Sequence, residues 1–291
     1  MTIFNGSGTA LITPFINDKV DFPALKKLVR FQLDNGTSAL IINGTTGEPT
    51  TMTHFERTAV ATTVIKEVNG AIPVILGAGS NNTYTAVEYA EEAEELGADG
   101  ILAVTPYYNK CTQEGIYQHY KAMSDAVNIP IIMYNVPGRT GVNIAPKTAL
   151  RCAELKNIVA IKEASGNIAQ FMELARLVKG KLDIYSGDDG LVYTLMSLGG
   201  KGVISVASNI IPQHMADMVA AYESGDAQKS LDMQFEIAGL VEALFSEVNP
   251  IPVKCAAKLM GLCSDYMRLP LTKMQNEAYM ESELKKLGII K

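Results

Sequence analysis

Ile158-Val159-Ala160-Ile161-Lys162-Glu163-Ala164-Ser165-Gly166 is the stretch on which the reading of the chain turns. Its apolar run, rich in β-branched residues, reads as a strand buried on both faces, as in a parallel sheet. The run ends at Lys162, where strand is expected to give way to loop. A free lysine ammonium has a pKa of ~10.4, so a nucleophilic lysine must sit in a poorly hydrated place that favours the neutral amine. The inside of a barrel at a strand's C-terminal end is such a place, and a Schiff base between Lys162 and a keto acid is the chemistry it points to. The simpler alternative is a lysine that solvates a strand end.

Working outward, the same apolar runs recur, each followed by a helical pattern. Strands are expected at residues 8–13, 39–42, 73–76, 100–104, 131–135, 158–162, 183–185 and 202–206. The intervening helices carry their own signals: Asp21 as an N-cap ahead of Leu25, Leu28, Val29 and Leu33, and Thr53 with Glu56 at capping-box spacing. Eight strand–helix units of this kind close into a (β/α)8 TIM barrel with its site on the loops after the strands. An open doubly wound sheet would need a nucleotide fingerprint near the start, and Gly77-Ala78-Gly79-Ser80-Asn81-Asn82 lacks the third glycine. After Gly225 the pattern turns helical, near residues 228–244, 252–260 and 272–287. The expected division is a catalytic barrel over 1–224 and a C-terminal helical extension over 225–291.

Composition agrees with one large domain: 291 residues, 47% hydrophobic and 19% charged. The formal net charge of −6 argues against nucleic acid or an anionic membrane as partner. Without a signal-peptide pattern or an apolar run of spanning length, a cytoplasmic protein is expected. Cys111, Cys152, Cys255 and Cys263 form no CxxC pair, and His54, His119 and His214 form no HExxH, so neither disulfides nor a metal site is expected.

Several loops carry chemistry. Gly44-Thr45-Thr46-Gly47-Glu48 brings small residues and two hydroxyls to a turn suited to a carboxylate. Tyr134, at the end of the fifth strand, can move protons beside an amine-bound substrate, and Arg139 offers a fork for a second carboxylate. Their plainer readings are a core aromatic and a surface ion pair. Tyr107 and Tyr108 lie on the loop Thr105-Pro106-Tyr107-Tyr108-Asn109-Lys110, where paired tyrosines mark a subunit contact. Ser186-Gly187-Asp188-Asp189 places carboxylates where a sugar-phosphate aldolase would need phosphate donors.

Taken in order, these motifs, with Gly202-Val203-Ile204-Ser205-Val206 and Asn249-Pro250-Ile251-Pro252, resemble the dihydrodipicolinate synthase family of pyruvate-dependent class I aldolases along the whole chain. The resemblance implies a lyase that condenses pyruvate with L-aspartate 4-semialdehyde in lysine and diaminopimelate biosynthesis. It implies Lys162 as the Schiff-base residue, Tyr134 as proton donor and acceptor, and Thr45 with a neighbouring subunit's Tyr108 as the rest of a proton relay. Thr46 and Ile204 would hold pyruvate, Arg139 would receive the semialdehyde's carboxylate, and Gly187 would be a further substrate-binding residue. No cofactor beyond the covalent adduct is implied, and the expected assembly is a homotetramer of tight dimers.

Related lyases, such as N-acetylneuraminate lyase and keto-deoxy sugar-acid aldolases, share the lysine; Thr45 together with Arg139 favours the synthase. A non-catalytic carboxylate-binding barrel is the rival from outside enzymology. Lysine-inhibited members resemble the chain at His54, Asn81 and Tyr107 but carry histidine where Arg57 stands and glutamate where Thr85 stands, which implies weak or absent feedback inhibition.

Overall fold

All eight strands expected from the apolar runs are formed. The structure, a computed structural model, describes residues 2–291. It places β1 at Gly6–Ala10, β2 at Ala39–Ile42, β3 at Val74–Gly77, β4 at Gly100–Val104, β5 at Ile131–Asn135, β6 at Ile158–Glu163, β7 at Asp183–Ser186 and β8 at Gly202–Ser205. These close into a barrel in the order β1-β8-β7-β6-β5-β4-β3-β2. Strands consecutive in sequence are thus neighbours, and each crossover is long enough for the helix that a parallel pairing needs. This is the (β/α)8 fold. A small antiparallel hairpin, Phe15–Ile16 with Lys19–Val20, forms a separate two-stranded sheet.

The chain divides into two compact units, Met1–Gly6 with Pro73–Ile204 and Ser7–Ile72 with Ser205–Lys291. In the first, every residue of β5 is buried, and Ile131, Ile132, Met133 and Ile161 have no exposed surface (0%). Burial on both faces is why these strands read as continuous apolar runs, and each such side chain contributes about 1.5–3 kcal/mol. β5 and β6 run in register with Tyr134 opposite Lys162 and Asn135 opposite Glu163. On its other side Lys162 is opposite Tyr185 of β7. The ladder therefore continues one residue past Lys162, which lies inside the strand and not at its end.

The helices of this unit start where a polar side chain can take an orphan amide. Asn82 accepts from Tyr84 N ahead of Thr83–Glu95, Thr112 from Gly115 N ahead of Gln113–Ala126, and Asn167 from Gln170 N ahead of Ile168–Val178. Phe171, Leu174 and Val178 form the buried stripe of the last.

In the second unit β1 stops at Ala10, three residues short of the expected end. The Asn209 side chain takes over from the ladder, accepting from Ile12 N at 3.0 Å and donating to Ala10 O at 2.8 Å. Asp21 caps Phe22–Asp34, and both bonds of the Thr53/Glu56 capping box are present at the start of His54–Val68. The helical C-terminal end comprises Ala227–Glu236, Ala238–Leu244, Ile251–Leu259 and Glu277–Lys286. The single helix expected over 228–244 breaks at Ile237. The last helix starts five residues later than expected, because Asn276 caps it and Glu247 Oε1 accepts the preceding amides of Gln275 and Asn276.

Candidate active site

Lys162 is 5% exposed, and its Nζ lies 4.4 Å from the centroid of the Tyr134 ring. That contact follows from the register, since opposed residues of adjacent strands point to the same face. Burial pushes the amine down to about 8, with the Asp189 carboxylate pulling it up and the Arg139 guanidinium pushing it down. At neutral pH roughly a tenth of such an amine is uncharged, against less than about one in a thousand for a free lysine. The buried Asp189 opens the turn Asp189–Leu191, held by an Asp188 side chain that accepts from Gly190 N. In the sequence these carboxylates spoke only against phosphate; in the fold Asp189 acts on the lysine.

Gly187 lies against the lysine's stem. A Cβ there would come within 2.9 Å of Lys162 Cε and 2.7 Å of Ala164 Cβ, closer than packed atoms approach. Ile204 is buried on β8. Arg139 is exposed on a short helical turn, Pro137–Thr140, in a segment that reads from sequence as loop. Tyr108 is 89% exposed and has a φ of 73°, a conformation that bulky residues rarely adopt. Its backbone N–H donates to Thr140 O at 3.4 Å, tying its loop to the turn that carries Arg139. The structure thus gathers Lys162, Tyr134, Gly187, Asp189 and Arg139 into one neighbourhood of the first unit and turns Tyr108 outward.

Thr45 and Thr46 belong to the second unit, in the turn Thr45–Gly47 at the end of β2. Thr45 is half-buried, while Thr46 is buried and its Oγ1 accepts from Asn249 Nδ2 at 3.0 Å. The turn ends at Glu48, which is left-handed at a φ of 55°. Glu48 is buried, and Lys254 Nζ reaches its Oε1 at 2.5 Å. Burial raises the Glu48 pKa and Lys254 opposes that rise. Asn249, Glu48 and Lys254 have no individual role in the sequence reading. Glu48 and Asn249 have only their membership of the Gly44–Glu48 and Asn249–Pro252 motifs as a signal there, and Lys254, two residues past the second motif, has none.

Gly79, just past β3, has a packing explanation. A Cβ on Gly79 would fall 2.5 Å from Val104 N, so the backbone needs the space that a dinucleotide fingerprint would use for pyrophosphate. Among the described residues no three His, Cys, Asp or Glu side chains are grouped to hold a metal ion. No helix among them is long and apolar enough to cross a membrane.

A closed parallel barrel with a buried lysine of lowered basicity on an inner strand defines the class, that of the lysine-dependent, class I aldolase barrels. Residues 3–287 match the dihydrodipicolinate synthetase family. The 4-hydroxy-tetrahydrodipicolinate synthase of Alkaliphilus oremlandii is 49% identical over 290 residues, covering 99% of this chain and 100% of that one. Dihydrodipicolinate synthase from Thermotoga maritima superposes with a TM-score of 0.98 at 45% identity, covering 99% of this chain and 100% of that one. A chloride-inhibited dihydrodipicolinate synthase from Acinetobacter baumannii, complexed with pyruvate, gives 0.97 at 46% identity, with 99% of this chain and 100% of that one covered. The chain belongs to the dihydrodipicolinate synthetase family, and its class of enzyme is that of a lyase.

Proposed function

We propose that this chain condenses pyruvate with L-aspartate 4-semialdehyde, the 4-hydroxy-tetrahydrodipicolinate synthase reaction of diaminopimelate and lysine biosynthesis. The observation that carries the mechanism is the buried Lys162 amine, with a pKa lowered to about 8, beside Tyr134. The neutral amine attacks the pyruvate ketone, and loss of water leaves an iminium. That iminium accepts the electron pair of a methyl C–H bond as the proton departs, giving an enamine. The enamine carbon attacks the aldehyde, and the aldehyde oxygen takes a proton. The new chain's amino group then displaces Lys162 by transimination, closing the ring and freeing the amine.

In this reading Tyr134 gives and takes the protons, with Thr45 and the Tyr108 of a second copy completing the relay. Protons move at several separate steps, which suits a chain of hydroxyls. Thr46, Ile204 and Gly187 line the place of pyruvate. Because Asn249 is the donor to Thr46 Oγ1, the threonine's own hydrogen is left to donate to a carboxylate. Arg139, exposed on its turn, receives the semialdehyde's carboxylate as a bidentate fork. The chemistry needs no external cofactor.

The reading carries further expectations: a catalytic barrel over 1–224 with a helical extension over 225–291, a homotetramer of tight dimers, and a cytoplasmic location. With Arg57 and Thr85 in place of the histidine and glutamate of lysine-inhibited members, feedback inhibition by lysine is weak or absent.

The test of the acceptor is direct. Turnover of pyruvate with aspartate semialdehyde is compared with turnover with N-acetylmannosamine, and preference for the semialdehyde is expected. Preference for the sugar would move the chain to the N-acetylneuraminate lyase branch, with the same lysine and fold.

A further inference from the structure

Successive residues of a strand point to opposite faces, so the residues that follow Tyr134 and Lys162 point away from them. Those residues, Asn135 and Glu163, are again opposite one another in the β5–β6 ladder. They are buried, at 0% and 3% exposure. Asn135 Nδ2 donates to Glu163 Oε2 and to Asn143 Oδ1, each at 2.9 Å. Asn135 Oδ1 accepts from Ile144 N at 2.9 Å, and Glu163 Oε1 from Ser165 N at 2.7 Å. Asn143 in turn exchanges two hydrogen bonds with Gln170, at 2.7 and 3.0 Å.

We infer that Asn135 and Glu163 are positioning residues for the reaction, locking the register of Tyr134 against Lys162 and anchoring the far end of the segment that carries Arg139. The inference rests on the Schiff-base reading proposed above. A buried carboxylate is costly, and a well-packed apolar pair would serve stability as well. What an apolar pair cannot do is fix a strand along its own axis. The Asn135–Glu163 bond spans the two strands one residue beyond the reacting pair, so a slide of β6 along β5 must break it before it can displace Nζ from Tyr134. The Ile144 bond fixes the chain on the far side of Arg139, and the Ser165 bond holds the loop that leaves β6.

The donor and acceptor pattern supplies a test by reciprocal exchange. In Glu163→Gln, either orientation of the new amide sets a donor against Asn135 Nδ2 or against Ser165 N. In Asn135→Asp, two carboxylates face each other. In the double variant the pairing is restored with its direction reversed: the glutamine amide donates to the aspartate and its oxygen accepts from Ser165 N, while Asn143 turns to donate. Two quantities are read, kcat with both substrates and the rate at which borohydride traps pyruvate on Lys162, alongside the thermal midpoint.

Each single variant is expected to lose about 10- to 100-fold in kcat and in trapping rate, the size of effect that a misplacement near 1 Å produces. The double variant is expected to regain rates within about 3-fold of native. Single variants that trap and turn over at native rates, even with a lowered thermal midpoint, would reduce the pair to a stability role and overturn the inference. So would a double variant no better than its parents. Labelling of the native protein at Lys162 reports on the Schiff-base reading by itself, so the two readings fail separately.

Discussion

Gly187 sits where any side chain would strike Lys162: a Cβ there lies 2.9 Å from Cε and 3.1 Å from Cγ of the lysine. The glycine after β7 is a requirement of the lysine's path through the barrel. Gly187→Ala should therefore swing the amine off its line toward Tyr134 and cost about 100-fold in pyruvate trapping. Trapping rates compared with the thermal midpoint separate this from simple unfolding, and a native trapping rate in the alanine variant would refute it.

The lowered pKa of Lys162 makes two predictions, both rising with pH. Attack needs the neutral amine, so the rate of iminium formation with pyruvate should rise with pH, reach its midpoint near 8 and level off above that. Stability follows linkage: between about 8 and the unfolded value near 10.5 the unfolded chain binds the extra proton, so the native protein gains stability as pH rises through that window. Lys162→Met removes the buried cation. The variant should be more stable than native at pH 7, by up to ~3 kcal/mol, with the gain shrinking as pH rises past 8. Paired denaturant titrations at pH 7 and pH 10 measure this, and a difference independent of pH would contradict it.

Tyr108 is exposed and held at positive φ, which is a poor use of an aromatic unless a second chain covers it. Tyr108→Phe should keep Schiff-base formation and lose about 100-fold in turnover, the scale of a missing acid–base group. Dilution that dissociates the proposed oligomer should lower specific activity too. A monomer of full activity in sedimentation would remove the role given to this hydroxyl.

Glu48 and Lys254 form an ion pair with side-chain exposures of 1% and 0%. Lys254 also donates to Tyr266 O at 3.0 Å and lies over the Phe15 ring. Removing one member strands the other's charge, so Lys254→Met should destabilise the protein by about 3–5 kcal/mol, and adding Glu48→Gln to that variant should recover part of the loss. A double-mutant cycle in denaturant measures the coupling, and additive losses would show that the charges do not depend on each other.

The barrel was legible because its strands are buried on both faces: continuous apolar runs separated by capped helices leave few alternatives. Caps set by one side chain, such as Asp21 and the Thr53/Glu56 box, were legible to the residue. What was hidden depends on partners distant in sequence. β1 ends early because Asn209 substitutes for the ladder, across 197 positions. Lys162, Tyr134 and Gly187 could be named as candidates from their motifs and from family resemblance. The effect of Asp189 on the lysine and the hold of Asn249 on Thr46 were not, since neither has a local pattern. Asn135 and Glu163 were visible only as neighbours of marked residues; their pairing depends on a register that sequence does not state.

The proposed reaction depends on a covalent bond between Lys162 and pyruvate. The most direct measurement is the mass of the intact protein, and of the peptide containing Lys162, after borohydride reduction with pyruvate present. One reduced pyruvate adduct per chain, located at Lys162 and absent from Lys162→Ala, is the predicted result. An unmodified Lys162 in a protein that turns over at its native rate, or undiminished turnover by Lys162→Ala, would contradict it.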